Sequence, residues 1–223
     1  MAVVDDPRTK WRNPRFGFGA LFAGIMRNER MAYGLGRAVW GMDTHLMYRW
    51  MEEAIGGMPD GSSIVDIPCG GGTAFRALRR EQNVRYVAAD ISPAMLDRAR
   101  RAAAERGLDS IEFVEADVGA LPFADGEFDL VGNFNALHNF PDPRGAIHEL
   151  ARVTKPGGRL LCITAVRGEG PRFDAVFKAY QRFTIFGPGG TVPEVRGWIR
   201  EAGLEERDFE QSGGVICVEA VKP

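Results

Sequence analysis

Apolar positions along this chain recur with two different spacings. Short apolar runs at 64–67, 111–116, 128–134 and 159–165, with another that closes at Asp90, suit buried parallel strands. Between them, apolar residues return every three or four positions. Leu46, Trp50 and Ala54, with Met47, Met51 and Ile55, make one such stripe; Asp43 or Thr44 caps that helix, and Gly56 and Gly57 stop it. A helix opens over 73–80 straight from a glycine run. Ser92 and Pro93 start the next, which Gly107 ends. Asp142 and Pro143 start another, with Ile147, Leu150 and Ala151 inward and Arg144, His148 and Arg152 outward. The turn 155–158 feeds a fifth strand, and Thr191 with Glu194 forms a capping box for a helix over 192–202. Two last strands, 204–210 and 214–221, are joined by Ser212, Gly213 and Gly214. This alternation predicts an α/β, doubly wound, mostly parallel seven-stranded sheet with helices on both faces.

Two segments stand outside that rhythm. Residues 16–42 are rich in glycine, aromatics and methionine, namely Phe16, Phe18, Phe22, Met26, Met31, Tyr33, Trp40 and Met42. They are expected either to cap a site with soft apolar surface or to pack on the sheet as a helical layer. A helix over 171–185, with Phe173, Val176, Phe177, Tyr180 and Phe183 on one stripe, follows the fifth strand and is expected above the carboxyl ends of the strands. One domain is expected: an arm and helical cap over 1–60, with a polar arm over 1–15, and a main unit over 61–223 carrying an insertion at about 168–190.

Composition narrows the function classes. With 223 residues, 45% hydrophobic and 26% charged, the chain can bury one good core. A net charge of −2 and a pI near 6.0 provide no global basic field for a nucleic-acid backbone. Three cysteines, Cys69, Cys162 and Cys217, do not read as a disulfide framework, so a reducing, cytoplasmic setting is expected. The longest apolar run, 16–26, is too short to span a membrane, and Asp5 and Asp6 argue against a secretory leader.

The chemistry concentrates at 64–90. Asp66 closes a strand, Gly70, Gly71 and Gly72 let the backbone bend sharply beside a ligand, and Asp90 closes the next strand 24 positions later, where a β-α-β nucleotide fold places the acid for ribose hydroxyls. That is a nucleoside site. A dinucleotide fingerprint needs a small third residue; counted from Gly70 and Gly72, that position is Phe75. Asp66, Gly70 and Gly72 fit instead the acid-x-G-x-G-x-G pattern of adenosylmethionine sites, with Pro68 where the first glycine is usual.

With AADISPAML at 88–96, VEADVGALPFADGEFDLV at 114–131, NALHNFPDP at 135–143 and LARVTKPGGRLL at 150–161 in the same order, the chain resembles the class I S-adenosylmethionine-dependent methyltransferases. The likeness runs from 62 to about 167 and is nearest the small-molecule branch that contains ubiquinone and menaquinone C-methyltransferases. The resemblance implies a Rossmann-like methyltransferase fold and S-adenosyl-L-methionine as cofactor, released as S-adenosyl-L-homocysteine. It also implies cofactor contacts at Asp66, Pro68, Cys69, Gly70, Gly72, Asp90, Ile91, Asp117, Val118 and Asn133. Asp90 would take the ribose hydroxyls, Asp66 the amino-acid portion, and Asp117 with the Val118 N–H the adenine. His138, after the fourth strand, is the leading candidate for a base that deprotonates the acceptor, with Tyr33, Tyr180 and His45 behind it.

The expected activity is methyl transfer to an O, C or N atom of a small, fairly apolar or aromatic molecule, of the kind used in secondary metabolism, without a metal. The motif of amino-methylating DNA enzymes is absent from 133–136, which argues against nucleic acid as substrate. A homodimer is a further expectation. The alternatives are a non-methylating cyclase or decarboxylase on the same cofactor, a nicotinamide oxidoreductase, already weakened by Phe75, and a catalytically silent partner subunit.

Overall fold

The seven apolar runs pair into one sheet. In the computed structural model, which describes residues 29–183 and 185–223, the strands are β1 (Ser63–Asp66), β2 (Arg85–Asp90), β3 (Glu112–Glu115), β4 (Phe128–Phe134), β5 (Thr154–Ala165), β6 (Glu205–Ser212) and β7 (Val215–Val221). Their order is β3-β2-β1-β4-β5-β7-β6. The first five are parallel to their neighbours, and β7 runs antiparallel to both β5 and β6. Among the described residues six α-helices accompany them: α1 (Glu29–Trp40), α2 (Thr44–Gly56), α3 (Pro93–Arg106), α4 (Pro143–Val153), α5 (Pro171–Arg182) and α6 (Val192–Glu201). The expected arm over 1–15 and the cap residues Phe16, Phe18, Phe22 and Met26 lie outside the described residues.

Strand side chains alternate between two cores, as the pleat requires. Ile64, Tyr86, Ala88, Leu130, Leu161 and Ile163 face α2 and α3 through Met47, Met51, Ile55, Leu96 and Ala99. Val65, Val87, Ala89, Val131, Leu160 and Cys162 face α4 and α6 through Ile147, Leu150, Val195 and Ile199. All three cysteines are buried and free. Chain order reverses at β1, flanked by β2 on one side and β4 on the other, so a crevice opens outside the carboxyl ends of these strands.

Two local expectations are corrected. Residues 73–80 do not form a full helix: a 3-10 turn covers Thr73–Ala77, and Leu78 is already extended. The polar residues that follow are spent on the end of α2, where the Gln82 Nε2 donates to the carbonyls of Ile55 and Met58 and Arg79 donates to that of Gly56. Satisfying those terminal carbonyls competes with helix propagation. The turn at 155–158, in turn, is the start of β5 itself, with a register shift opposite β4 and the Gly157 N–H donating to the Lys222 carbonyl at 2.7 Å. The Lys222 ammonium reaches the carbonyls of Ala151 and Thr154 at 2.8 and 2.9 Å, closing the end of α4.

Phe75 anchors the short 3-10 turn. It is fully buried, meets Tyr86 and Phe113 edge-on with centroids 5.7 and 6.3 Å away, and lies so close to Gly72 that a Cβ there would stand 2.5 Å from its ring. Phe75→Ala is expected to lower unfolding stability by roughly 3–5 kcal/mol, read as a shift of the urea midpoint with the slope unchanged; a midpoint within error of wild type would show that the ring does not hold the turn.

Candidate functional site

The crevice is an open cavity of about 1150 Å³, mouth included, walled by the turns after β1, β2, β3 and β4 and by α2. Three carboxylates, Asp66, Asp90 and Asp117, belong to its wall on the β1–β3 side. Met47 and Met51 of α2 contribute to the wall with Phe134, Asn135, Ala136, Asn139, Phe140 and Pro141 of the β4 side.

Asp90 ties two turns together. Its Oδ2 accepts the Gly70 N–H and its Oδ1 the Ser92 N–H, both at 2.9 Å. Burial pushes its carboxyl up to about 6, although those two N–H donors favour the anion. Asp66 is deeper. Burial raises it to about 8, against a 3.1 Å hydrogen bond from the Tyr86 hydroxyl and with a further rise from the charge of Asp90. Its Oδ1 is buried without a hydrogen-bond partner among the described residues. Gly70, at φ 54° and with nothing within 4 Å of an added Cβ, leaves the cavity open beside these acids. The Asp117 Oδ1 accepts the Gly119 N–H at 2.9 Å, and Asp117 borders the cavity with Val118.

Of the cofactor contacts expected from sequence, Asp66, Pro68, Cys69, Gly70, Asp90, Ile91, Asp117 and Val118 meet at this cavity. Gly72 is buried behind it against Phe75. Asn133 is also buried, its amide donating to the Ile67 carbonyl at 2.7 Å, so it braces the first turn from beneath.

The four candidate catalytic residues, His138, Tyr33, Tyr180 and His45, are not on the cavity wall. His138 is buried; its Nδ1 accepts the Ala165 N–H at 3.2 Å and lies 3.1 Å from the Thr164 hydroxyl. Its ring meets Phe186 at 4.3 Å, and burial lowers its pKa to about 3. Tyr180 stacks on Trp40 and Phe186 with centroids 6.1 and 4.9 Å apart, and Tyr33 lies against His45 at 5.3 Å. His148 is exposed on α4, as the stripe implied.

Gly71, expected in the turn beside the ligand, is on the wall; reading from sequence missed Thr73, Met95, Asn135, Asn139 and Phe140 as wall residues, and took Met47 and Met51 only as a helix stripe. A signal for two of them exists: the asparagines sit within NALHNFPDP, directly after the strand whose end faces the crevice.

Comparison with known proteins agrees with this geometry. A family described as a methyltransferase domain matches residues 65–162. A demethylmenaquinone methyltransferase from Thermus thermophilus is 36% identical over 69% of this chain and 69% of its own length. A protein from Oryza sativa subsp. japonica named as a probable tocopherol O-methyltransferase is also 36% identical, but there the match covers 52% of this chain and only 34% of the relative. Among solved structures, the [4+2]-cyclase SpnF superposes with a TM-score of 0.69 at 22% identity, over 84% of this chain and 85% of that one.

The acids set a pH dependence. Both carboxyls are raised above their ordinary 3.8, so the folded state holds more protons than the unfolded one as pH rises from about 4 through 8, and stability is lost across that window. Thermal unfolding of the cofactor-free protein should therefore move to lower temperature between about pH 4 and pH 8, and Asp66→Asn should flatten the upper part of the curve. An equally steep curve in the variant would assign the titration to another group.

Proposed function

Since the chain belongs to the class I S-adenosylmethionine-dependent methyltransferases, we propose that it moves a methyl group to an O, C or N atom of a small, flat, largely apolar acceptor by in-line displacement. The observation that carries the reading is the division of the cavity wall: buried carboxylates and an open glycine turn on the β1–β3 side, sulfur and aromatic side chains on α2 and the β4 side. When bound, the cofactor supplies an electrophilic methyl on a sulfonium that leaves as a neutral thioether. Asp90 would hold the ribose hydroxyls and Asp66, with its unpartnered Oδ1, the amino-acid portion; Asp117 and the Val118 N–H would meet the adenine. Met47, Met51, Phe134 and Phe140 would exclude water and fix the acceptor in line. Alignment of this kind can lower a barrier by about 7–11 kcal/mol, so few groups need join the bond-making.

The base expected at His138 receives less support than a positioning role. A ring whose burial lowers it to about 3, and whose Nδ1 already accepts the Ala165 N–H, is a weak proton acceptor at neutral pH. Its bonds instead fasten the segment after β4 to the end of β5. In this reading the acceptor arrives with a nucleophile that ionises without His138.

Calorimetric titration with S-adenosylmethionine and S-adenosylhomocysteine should give micromolar binding that Asp90→Ala abolishes, and a screen of quinols, phenols and polyketides should then yield a methylated product with one S-adenosylhomocysteine per turnover. A rearranged, unmethylated product with the cofactor intact would establish the cyclase alternative instead, and turnover only after addition of a second protein the silent-subunit one. His138→Gln, which keeps an acceptor atom, is expected to retain kcat within about tenfold with an unchanged pH profile; a loss of about 10²–10⁴ with a vanished ionisation would restore the general base.

A further inference from the structure

Two residues on the cavity wall carry a buried side-chain oxygen with no hydrogen-bond partner among the described residues: Asp66, and Asn139 on the β4 side. A buried carbonyl oxygen left unmatched is costly, and in native proteins it commonly marks a place that a ligand fills. The gap at Asp66 belongs to the cofactor half. Asn139 lies on the opposite bank, between His138 and Phe140, where the wall is apolar apart from Asn135.

The segment that presents Asn139 is held from several directions. Asn135 adopts φ 57°, the one positive φ outside glycine among the described residues, and its N–H donates to the Ile163 carbonyl at 2.7 Å. A left-handed backbone at a cavity is strain that the surroundings must hold in place. The Asn139 N–H donates to the Ala136 carbonyl at 2.8 Å, closing a 3-10 turn over Leu137–Asn139. From behind, the Gly187 N–H donates to the His138 carbonyl at 2.9 Å, and a Cβ on Gly187 would lie 2.1 Å from the Phe140 carbonyl oxygen. His138, clamped to Thr164 and Ala165, completes the hold. The backbone that carries Asn139 is thus preorganised, which lowers the cost of holding its side chain when it binds.

We infer that Asn139 anchors the methyl acceptor, its Oδ1 taking a hydrogen bond from a hydroxyl or N–H on an otherwise apolar ring system, and so selects hydroxylated or amino-bearing acceptors over their unsubstituted analogues. This rests on the methyl-transfer reading of the cavity. A site built to bond a hydroxyl rejects the analogue lacking it more strongly than an apolar pocket discriminates by size.

The test is an anaerobic titration of 1,4-naphthohydroquinone, and in parallel of naphthalene, into protein saturated with S-adenosylhomocysteine. Wild type should bind the hydroquinone about tenfold more tightly than naphthalene. Asn139→Leu should remove roughly three- to tenfold of the hydroquinone affinity, as expected for one neutral hydrogen bond, while leaving affinity for naphthalene and for S-adenosylhomocysteine unchanged; Asn139→Asp, which keeps an acceptor oxygen, should retain the preference. Equal losses for both ring compounds would mean that Asn139 only packs, and a loss of S-adenosylhomocysteine binding would assign it to the cofactor; either overturns the inference. So would equal binding, or no binding, of the two ring compounds to wild type that still takes up S-adenosylhomocysteine. If wild type fails to bind S-adenosylhomocysteine at all, the reading of the cavity itself falls.

Discussion

The structure depends on one buried carboxylate. Asp90 accepts N–H groups from two separate turns, Gly70 after β1 and Ser92 after β2, and so fixes how the chain leaves two adjacent strands. The turn after β2 leads into α3, with Ser92 at its N-cap, but the turn after β1 has no long helix to stiffen it: it makes only a 3-10 turn, whose packing rests on Phe75. The Asp90 clasp and the Asn133 amide beneath Ile67 supply the rigidity that helix geometry would otherwise provide. Those bonds all meet backbone groups of the turns, so Gly70 can stay open towards the cavity.

The opposite bank is held differently. Trp40 of α1, Phe177 and Tyr180 of α5, and Phe186 beyond it form a continuous aromatic cluster, with the Trp40, Tyr180 and Phe186 rings stacked nearly parallel and Phe177 edge-on. His138 is the inner member of that cluster through Phe186. Segments distant in sequence therefore meet behind the turn after β4. The cluster supports the wall from behind and contributes none of its residues to the cavity.

Most of the sheet was legible because its strands are apolar runs bounded by acids and glycines; β4 runs Phe128–Phe134, as read from sequence. The segment 73–80 misled because its apolar spacing is helical, whereas the demand that ended it came from the carbonyls of α2, far away in sequence. The start of β5 was hidden in a proline-glycine sequence that ordinarily signals a turn. At the site, the acids closing β1 and β2 were visible from their spacing. The stretch 135–143 after β4 was visible too, but Asn139, between His138 and Phe140, has no periodic signature, and its place on the wall depends on contacts with 163–165 and 187 that only folding brings together. His138 drew notice as a titratable type, but burial, which decides what a histidine can do, is a property of the packed structure.

The charge distribution of the cavity wall bears on how a reaction cycle ends. Asp90 and Asp117 bring carboxyl groups, Asp66 adds a third whose burial favours the protonated form, and no lysine or arginine stands among the described wall residues to balance them. A sulfonium reactant brings the missing positive charge; the thioether left after transfer does not. Attraction between opposite charges is strong where water is excluded, so each turnover removes the counter-ion that favoured its own reactant, and Asp66 regains its affinity for a proton. On the methyl-transfer reading proposed for the cavity, the pocket would therefore distinguish spent from fresh cofactor by charge, with a bias towards exchange built into its acids.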